Sequence, residues 1–448
     1  MISTLSEQLS DAVQNARNVP RVVAEKLLTD VAGLCVAARR TDYVRASLAG
    51  WEASGGCTAI GHSRTLDAAG AAFVNGTAAH GEDFDDTFEG GPVHAGAVIV
   101  PTVLAVAERN KIEGRDTLRG IAVGVEVMCR ASLVAPKLIH QAGFHPTAVL
   151  GAMGAAASVA TALRLSKNQF VNALGIAGSM AAGIIEYLAE GAWTKRMHPG
   201  WAAQAGYRAA RMAQAGFTGP RTLFDGEHGF FHAFANSDGC DFRAMLDRVG
   251  KLWLCADIAF KPYACGTMAH PYVDCARRLV AEGVRPGDVA AIECKTAEGI
   301  VHRLWEPLSA KQNPLNGYAA KFSIPYAIAV GMLRGDAGLT DYEEAVVHDP
   351  AVRALAGKVR YVVDPDNPYP RQFTGHLRVT LKTGEVREAT QGHFRGGREE
   401  PMSAEALAAK FTANCAYGGW DVDRARSALA VLRGLRAAPR VDLAVLRG

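Results

Sequence analysis

The side chains best suited to acid–base chemistry are concentrated in one segment, HGEDFDDTFEGGPVHAG, which spans residues 80–96. Its charged and imidazole side chains are Glu82, Asp83, Asp85, Asp86, His80 and His94. Carboxylates this close repel one another, so we expect a raised pKa on one of them or a cationic partner. The segment predicts a catalytic turn. Divalent-metal binding by carboxylate oxygens and simple capping of a helix end are the alternatives.

A second candidate is the histidine of AGFHPTAVLG, where His145 precedes Pro146 at the start of a helix of small residues. Proline is favoured in the first turn of a helix, so His145 is predicted to lie at a helix N-terminus. The positive end of a helix disfavours imidazolium, which keeps a neutral base available near pH 7. The alternative is a histidine that only caps the helix.

Basic side chains cluster in two further segments. GAWTKRMHPG holds Lys195, Arg196 and His198 ahead of a Gly/Ala-rich helix, which predicts a site for a carboxylate or a phosphate. AFKPYACGTMAH holds Lys261 and Cys265, and the lysine could reach a ligand in a cleft between domains. The alternative for the first segment is a solvated basic loop. The alternative for Lys261 is a surface lysine. Cys265 could be a nucleophile, and the alternative is a buried, unreactive cysteine.

The elements that position these residues are predicted to be helical in the N-terminal half. Apolar and small residues at helical spacing predict helices over residues 66–80, 101–109 and 152–165, with Pro101 at a first helical position. Glycine and alanine are dense, as in GAMGAAASVATAL, and small side chains let helix backbones approach closely. We therefore predict a tightly packed helical bundle.

After Trp253 the helical spacing of apolar residues gives way to a mixture of strand and helix patterns. Strands are predicted from residue 289, over residues 359–363 and in a hairpin from residue 376, and helices over residues 272–282 and 319–333. Tyr326 falls on the last of these helices, where an ordinary half-buried tyrosine is the alternative to a functional one. Helical patterns return over residues 403–411 and 422–435.

This order predicts a discontinuous architecture. Residues 1–261 and 397–448 would form one helical domain, and residues 262–396 would form an inserted α/β domain. The predicted fold class is mainly α with α+β: a large all-helical domain built from both chain ends plus a smaller inserted α/β domain. Such an insertion leaves a cleft, which is a preferred place for a small-molecule site.

Composition excludes several classes of function. The 448 residues carry 48 basic and 45 acidic side chains, a net charge of +3, which argues against nucleic-acid binding and a polybasic membrane anchor. The chain lacks a secretory signal pattern and a membrane-spanning run, so we expect a cytoplasmic protein. Its nine cysteines form no CxxC motif, and GxGxxG, GxxxxGK[ST], HExxH and GxSxG are absent.

Six segments, in this order along the chain, resemble the MmgE/PrpD family: FVNGTAAHGEDFDDT, GFHPTAVLGAMGAAA, TKRMHPGWAAQAG, GPRTLFDGEHGFF, AFKPYACGTMAH and AKFSIPYA. The resemblance extends over nearly the whole chain. It is specific for the family but not for one reaction, because members include 2-methylcitrate dehydratase, cis-aconitate decarboxylase and iminodisuccinate epimerase.

The resemblance implies a large helical domain, a smaller α/β lid domain and, usually, a homodimer. It also implies an active site between the two domains that uses neither a metal nor an organic cofactor. By motif match, that site would contain Asp83, His94, His145, Lys195, Lys261 and Tyr326.

Two departures from the family pattern lie where a substrate would be recognised. The family's second histidine is commonly followed by Pro-Ser, whereas His94 is followed by Ala-Gly, and the loop before it carries Glu89 and two glycines. The family's Thr-Lys-Pro becomes Thr-Lys-Arg at Lys195. These differences leave the type of chemistry intact and the specific substrate open.

These groups suit proton removal from a carbon next to a carboxylate, which needs a neutral base and cations that stabilise an enediolate. The predicted roles are proton transfer by His145 or His94, carboxylate binding by Lys195 and Lys261, orientation of a histidine by Asp83, and proton or hydrogen-bond donation by Tyr326.

The sequence thus predicts a cofactor-independent lyase, a dehydratase or decarboxylase, that acts on a small di- or tricarboxylate. An epimerase or racemase of a dicarboxylate such as iminodisuccinate is the alternative within the same chemistry. A helical binding or scaffold protein and a Mg²⁺-dependent diphosphate enzyme using Asp83, Asp85 and Asp86 are the competing hypotheses.

Overall fold

The computed structural model describes residues 3–91, 93–235 and 239–448. Pro92, in the loop before His94, lies outside the described residues. The chain divides into two compact units. Unit 1 comprises residues 1–259 and 403–448, and unit 2 comprises residues 260–402.

Unit 1 is built mainly of helices, drawn from both ends of the chain. They are α1 (Leu5–Asn15), α2 (Arg21–Ala38), α3 (Asp42–Ala49), α4 (Ala68–His80), α5 (Ala95–Asn110), α6 (Gly114–Val134), α7 (Leu138–Gln141), α8 (Pro146–Ala162), α9 (Lys167–Ser179), α10 (Tyr187–Glu190), α11 (Thr194–Gln214) and α12 (Phe230–Ala235), followed after unit 2 by α20 (Ala404–Tyr417) and α21 (Val422–Gly434).

Small residues allow the central helices of unit 1 to pack closely, as their composition predicts. Helices α4, α5, α8 and α11 pack against one another. At the α4–α11 contact, a Cβ added to Gly200 would lie 2.1 Å from the Phe73 carbonyl oxygen, and one added to Gly76 would lie 2.8 Å from Gly200 Cα. Only glycine fits at this contact, and it fixes the position of the end of α4 relative to the start of α11.

Helix α5 differs from its prediction. We expected a helix over residues 101–109 that begins at Pro101, but α5 begins at Ala95 and contains Pro101 in its interior. Proline can occupy a helix interior when the carbonyl four residues earlier does without its hydrogen bond. The extra turn places His94 at the N-cap of α5.

Unit 1 also contains two short antiparallel strand pairs that the sequence patterns did not indicate. β1 (Ser54–Thr58) pairs with β2 (Thr65–Leu66), and β3 (Thr87–Phe88) pairs with β4 (Ile258–Ala259). β2, β3 and β4 have two residues each and are too short to produce an alternating pattern, and β1 (SGGCT) contains two glycines and does not alternate. The β3–β4 pair ties the chain immediately after the acidic turn to a segment far away in sequence.

Unit 2 contains a four-stranded sheet with the order β6–β5–β7–β8. Its strands are β5 (Val289–Thr296), β6 (Val359–Val363), β7 (Gly375–Leu381) and β8 (Val386–Gln391), and its helices are α13 (His270–Ala281), α14 (Glu298–Leu304), α15 (Leu308–Gln312), α16 (Gly317–Ala320), α17 (Ile324–Arg334), α18 (Glu344–Val347) and α19 (Pro350–Ala356). β5 runs parallel to β6 and antiparallel to β7, and the β7–β8 hairpin appears where it was predicted.

One predicted helix of unit 2 is divided into two. Residues 319–333 were expected to be continuous, but α16 ends at Ala320 and α17 begins at Ile324. The hydroxyl of Ser323 caps α17 by accepting a hydrogen bond from the Tyr326 amide at 3.0 Å, and Pro325 occupies the first turn. Both are start signals for a helix, and they outweigh the continuous apolar pattern.

The fold class predicted from the sequence is confirmed: the molecule is mainly helical, with a small mixed sheet in a second unit. Within the described ranges, no helix combines the length and apolar character that crossing a membrane requires.

Candidate active site

The acidic turn follows directly from the C-terminal end of α4. The amide of Asp83 donates to the carbonyl of His80 at 3.1 Å, and Asp83 adopts a left-handed conformation with φ 55°. Aspartate tolerates this conformation better than most residues. The Asp83 carboxylate accepts a hydrogen bond from Lys195 Nζ on the first turn of α11, and both side chains are largely buried. The turn therefore has the cationic partner that its charge density required.

His80 and His94 are both held by groups of this turn. His80 Nδ1 lies 2.7 Å from Asp85 Oδ2, and both side chains are fully buried. His94 Nδ1 lies 2.7 Å from the carbonyl oxygen of Asp86 and 3.7 Å from Asp85 Oδ1. A carbonyl can only accept, so the hydrogen of neutral His94 lies on Nδ1, and Nε2 carries the lone pair.

Asp86 joins the turn to the next helix. Its Oδ2 accepts a hydrogen bond from the Gly96 amide at 3.0 Å, in the first turn of α5. A Cβ on residue 96 would lie 2.2 Å from Asp86 Oδ1, so this contact requires glycine. The Ala-Gly that follows His94 in place of the family's Pro-Ser is therefore matched to the position of Asp86.

His145 lies at the N-cap of α8, with Pro146 in the first turn, as predicted. Its Nδ1 lies 3.2 Å from Nδ1 of His198, which projects from the first turn and a half of α11. His145 is 5% exposed and His198 is 4% exposed. The backbone amide of His145 donates to the Gly183 carbonyl at 2.9 Å, so the position of the ring is fixed from both sides.

Four imidazole rings lie in a row through the site. Ring centroids are separated by 5.0 Å between His94 and His80, 5.7 Å between His80 and His145, and 5.3 Å between His145 and His198. Tyr187 packs edge-on against the last two rings, at 6.2 and 5.7 Å.

Burial and neighbouring positive charges keep the inner histidines neutral. Burial lowers the pKa of His145 well below its ordinary value, and the neighbouring basic groups His80, Lys195, His198 and His94 lower it further. The same causes, burial followed by His80 and Lys195, lower the pKa of His198 to about 4. His145 is therefore held neutral as expected, although burial and neighbouring basic groups rather than the helix end lower its pKa.

A lysine on α20, in the C-terminal part of unit 1, contacts the acidic turn. Lys410 Nζ on α20 donates to the Phe84 carbonyl at 2.8 Å and lies 3.9 Å from the centre of the Phe84 ring. It also forms an ion pair with Asp30 Oδ1 at 2.7 Å. A buried ammonium with these partners fixes the backbone between Asp83 and Asp85.

Unit 2 holds the remaining two predicted site residues. Lys261 is 2% exposed, and its charge lowers the pKa of Cys265, against the larger effect of burial, which raises that pKa to about 11. The Tyr326 ring lies 5.6 Å from the Tyr342 ring, and its hydroxyl donates to the Asp341 carbonyl at 2.5 Å. Burial raises the pKa of Tyr326. Cys265 thus matches the buried, unreactive alternative.

The structure brings four of the predicted residues into one cluster of unit 1. Asp83 contacts Lys195, while His94 and His145 are joined through the ring of His80. Lys261 and Tyr326 belong to unit 2.

Two members of the cluster, His80 and His198, belong to the predicted acidic and basic segments but were not among the six site residues predicted by motif match. The spacing of Lys195 and His198, three apart on a helix, was the available signal, because such residues share a face. The position of His80 at the end of its helix, immediately before the acidic turn, was the signal for that residue.

One group of side chains could hold a metal ion. Among the described residues, His80, Asp85 and His94 offer ligand atoms within 4.8 Å of one another. In the structure, however, His80 Nδ1 is bound to Asp85, and His94 Nδ1 donates to a carbonyl. A metal would have to use the Nε2 atoms or displace these hydrogen bonds.

A cavity of about 580 Å³ opens beside the row of imidazoles in unit 1. Its lining includes Ile184, Tyr187, Met197, His198 and Trp201, together with Glu186 and Glu190. Apolar walls and two glutamates are a poor match for a polycarboxylate, which cations should surround. Lys195 and the histidines offer the better match for such a ligand.

Comparison with known proteins identifies the family of the chain. Residues 9–243 match the MmgE/PrpD N-terminal domain, and residues 263–433 match the MmgE/PrpD C-terminal domain. The chain belongs to the MmgE/PrpD family. The resemblance drawn from the six sequence segments is thus confirmed.

Relatives within the MmgE/PrpD family have named activities. The chain is 32% identical over 365 residues to cis-aconitate decarboxylase of Homo sapiens, covering 78% of this chain and 73% of the relative. It is 28% identical over 378 residues to 2-methylcitrate dehydratase of Cupriavidus necator, covering 78% and 76%. One relative is a carboxy-lyase and the other a hydro-lyase, so the prediction of an enzyme of the lyase class is confirmed.

Proposed function

We propose that this member of the MmgE/PrpD family is a lyase that moves a proton at a carbon next to a carboxylate in a small di- or tricarboxylate. The observation that carries the proposal is the cluster in unit 1, where the His145 ring lies 5.7 Å from the ring of His80 and its pKa is lowered by burial, His80 and Lys195. A neutral base next to fixed cations is what formation of an enediolate requires.

Each residue of the cluster has a role in this chemistry. His145 or His94 removes or returns the proton, and the nearby positive charge stabilises the enediolate as it forms. Asp83 holds the Lys195 ammonium through their ion pair. Asp85 orients His80 through its 2.7 Å contact, as the carboxylate of a catalytic triad orients its histidine. Lys261 is the proposed carboxylate-binding cation. Tyr326 is the proposed hydrogen-bond donor, and in that role its hydroxyl would exchange the Asp341 carbonyl for the substrate.

Dehydration and decarboxylation are the outcomes that the relatives support, since the named proteins carry out one or the other. Both proceed through a carbanion next to a carboxylate. Epimerisation of a dicarboxylate such as iminodisuccinate uses the same carbanion and returns the proton to the opposite face, so it remains the second candidate.

Incubation in D₂O with a panel of polycarboxylates tests the proposal. The panel comprises cis-aconitate, 2-methylcitrate, citrate and a chiral dicarboxylate, with products followed by NMR. Loss of CO₂ or water identifies the lyase reaction, and deuterium at the α carbon without net loss identifies the epimerase. A protein that neither converts nor deuterates any of them would contradict the proposal.

The proposed chemistry needs no cofactor, and chelation tests this part separately. Full turnover after prolonged treatment with EDTA and an iron chelator would support it. Loss of turnover that returns with added metal would contradict it, and would direct attention to His80, Asp85 and His94. His80→Gln and His94→Gln variants would then show whether these residues hold the metal, through the amount of metal bound.

We also propose a homodimer in the cytoplasm. Exposed apolar side chains on unit 1 support the dimer: Ile184, Leu188, Trp193 and Trp201 are 61%, 59%, 49% and 41% exposed. No disulfide joins the cysteines of the described residues, which suits a reducing compartment. Light scattering should give about twice the chain mass of 47.4 kDa, and a monomeric mass would contradict the dimer.

A further inference from the structure

The contact between His145 and His198 has one chemical property that sets it apart from the rest of the site. The two Nδ1 atoms face each other at 3.2 Å, so one must donate and the other must accept. Two protonated rings would place two hydrogens between the same nitrogens. The contact therefore holds one hydrogen, and the ring that carries it determines which tautomer the other ring adopts.

The surroundings favour a pair that is neutral overall. Burial lowers the pKa of both rings, and the basic groups His80 and Lys195 lower it further. The negative groups nearby are already engaged: Asp85 contacts His80, and Asp83 is paired with Lys195. Because Nδ1 of each ring faces the other, the tautomer of one ring determines the tautomer of the other.

We propose that His198 is the hydrogen-bond acceptor, and that it thereby fixes His145 as the Nδ1–H tautomer with a lone pair on Nε2. This inference rests on the proposed function, because it assigns the basic nitrogen of the proposed base. His198 acts through His145 and is a positioning residue.

One requirement of the proposed function and one observation support this direction. A base needs a nitrogen lone pair that no other group occupies, and the Nδ1–H tautomer of His145 leaves Nε2 in that state. His198 also lines the 580 Å³ cavity, which can hold water to accept a hydrogen bond from its Nε2–H. In the opposite arrangement the Nδ1 lone pair of His145 would be occupied by His198 and its hydrogen would lie on Nε2, so neither nitrogen could accept a proton.

The geometry around His198 suits a fixed role. Its ring is confined by His145 on one side and by the edge-on contact with Tyr187 at 5.7 Å. It stands three residues after Lys195 on α11, so one helix positions both the ammonium and the ring that orients the base.

Two substitutions of His198 separate positioning from simple packing. His198→Ala removes the acceptor, and we expect kcat to fall about 10²-fold with KM little changed, because the basic tautomer is no longer enforced. His198→Asn keeps an amide oxygen close to the position of Nδ1, and we expect it to recover most of kcat. The acidic limb of the kcat/KM pH profile should shift in His198→Ala and stay near wild type in His198→Asn.

A matched control removes an imidazole of unit 1 that lies outside the cluster and is partly buried. His62→Ala should leave kcat, KM and the pH profile unchanged, since His62 is not in the cluster. Wild-type kcat and pH profile in His198→Ala would overturn the inference. Equal impairment of the alanine and asparagine variants, with both folded by circular dichroism, would also overturn it.

A direct measurement on the wild-type protein does not depend on activity or on the folding of a variant. With ¹⁵N-labelled histidine, the two ring nitrogens of His145 are distinguished by NMR and assigned with a His145→Asn variant. Protonated Nδ1 and unprotonated Nε2 support the inference, and the reverse overturns it. If the wild-type protein converts no polycarboxylate, the proposed function fails, while this measurement still decides the direction of the His145–His198 contact.

Discussion

At the residue scale, the site depends on how a few buried polar groups satisfy one another. Asp83 and Lys195 neutralise each other, and Asp85 holds His80. His145 is left neutral because burial and nearby cations both oppose its protonation. The arrangement separates the cations that would bind and stabilise an anion from the nitrogen that would accept a proton.

Replacing the proposed base tests this separation. His145→Asn should lower turnover about 10²- to 10⁴-fold, the usual contribution of a general base, and leave the unfolding midpoint nearly unchanged. Steady-state kinetics on the most active substrate of the panel, with thermal unfolding as the measure of folding, would check this. Turnover near the wild-type level would show that His145 is not the base and favour His94.

His198 gives a prediction on acid stability. Its pKa of about 4 in the folded protein lies below the value near 6.5 expected after unfolding, so the unfolded state binds more protons between these values. The free energy of unfolding should therefore fall as the pH drops from about 6.5 to 4, and His198 alone contributes about 3 kcal/mol of that fall.

Denaturant unfolding of the wild-type and His198→Asn proteins at pH 7.5 and pH 4.5 measures this effect. The loss of stability between the two pH values should be smaller in the variant, because it has no ring to protonate at that position. Equal losses in the two proteins would contradict the prediction.

At the element scale, the α4–α11 contact links the two halves of the cluster. His80 ends α4, and Lys195 and His198 lie at the start of α11. The helices meet through Gly76 and Gly200, where the backbones touch. A small change in this contact should therefore move His80 relative to the other two residues.

Gly200→Ala tests the contact. The added methyl group would lie 2.1 Å from the Phe73 carbonyl oxygen, a backbone atom that cannot turn away. We expect a loss of about 1–3 kcal/mol in the free energy of unfolding, together with lower kcat. The matched control is Gly434→Ala, where a Cβ meets nothing within 4 Å. Similar stability and activity in both variants would show that the α4–α11 contact can accommodate the added methyl group.

Long elements were predictable, while their ends and the shortest strands were not. The α8 start at Pro146 and the β7–β8 hairpin follow from local signals, a proline in a first turn and a KTGE turn between alternating strands. The start of α5 does not, because Pro101 is tolerated inside the helix only in the packed structure. The β3–β4 pair depends on residues far apart in sequence, which no local pattern reports.

In the candidate site, too, some residues could be predicted from local sequence signals and others could not. Residue types and spacing pointed to Asp83, His94, His145 and Lys195, which unit 1 brings together. Their partners could not be read from the chain, because the His145–His198 contact joins positions 53 residues apart and arises only from helix packing. The site roles of Lys261 and Tyr326, and the domain boundaries at residues 261 and 396, stay predictions.

At the scale of the whole molecule, the cysteines report on the integrity of both units. Eight of the nine are buried, and burial raises the pKa of each of these thiols. Cys240 is the half-buried one. A raised pKa and poor access both slow the reaction of a thiol.

Titration with a chromogenic disulfide reagent should therefore label about one thiol quickly in the native protein, at Cys240, and all nine in denaturant. Peptide mapping identifies the labelled position, and Cys240→Ser removes the fast phase as the control. Rapid labelling of Cys265, Cys275 or Cys294 in the native protein would show that unit 2 is looser than the structure indicates.

The support of Phe84 by Lys410 has a consequence for protein synthesis. The ammonium that fixes the acidic turn is encoded 326 residues after the carbonyl it binds. A nascent chain emerging from the ribosome therefore carries the turn for most of translation before its donor arrives. A premature stop codon between Tyr326 and α20 would yield a polypeptide that contains every proposed catalytic group but lacks the ammonium that holds the turn.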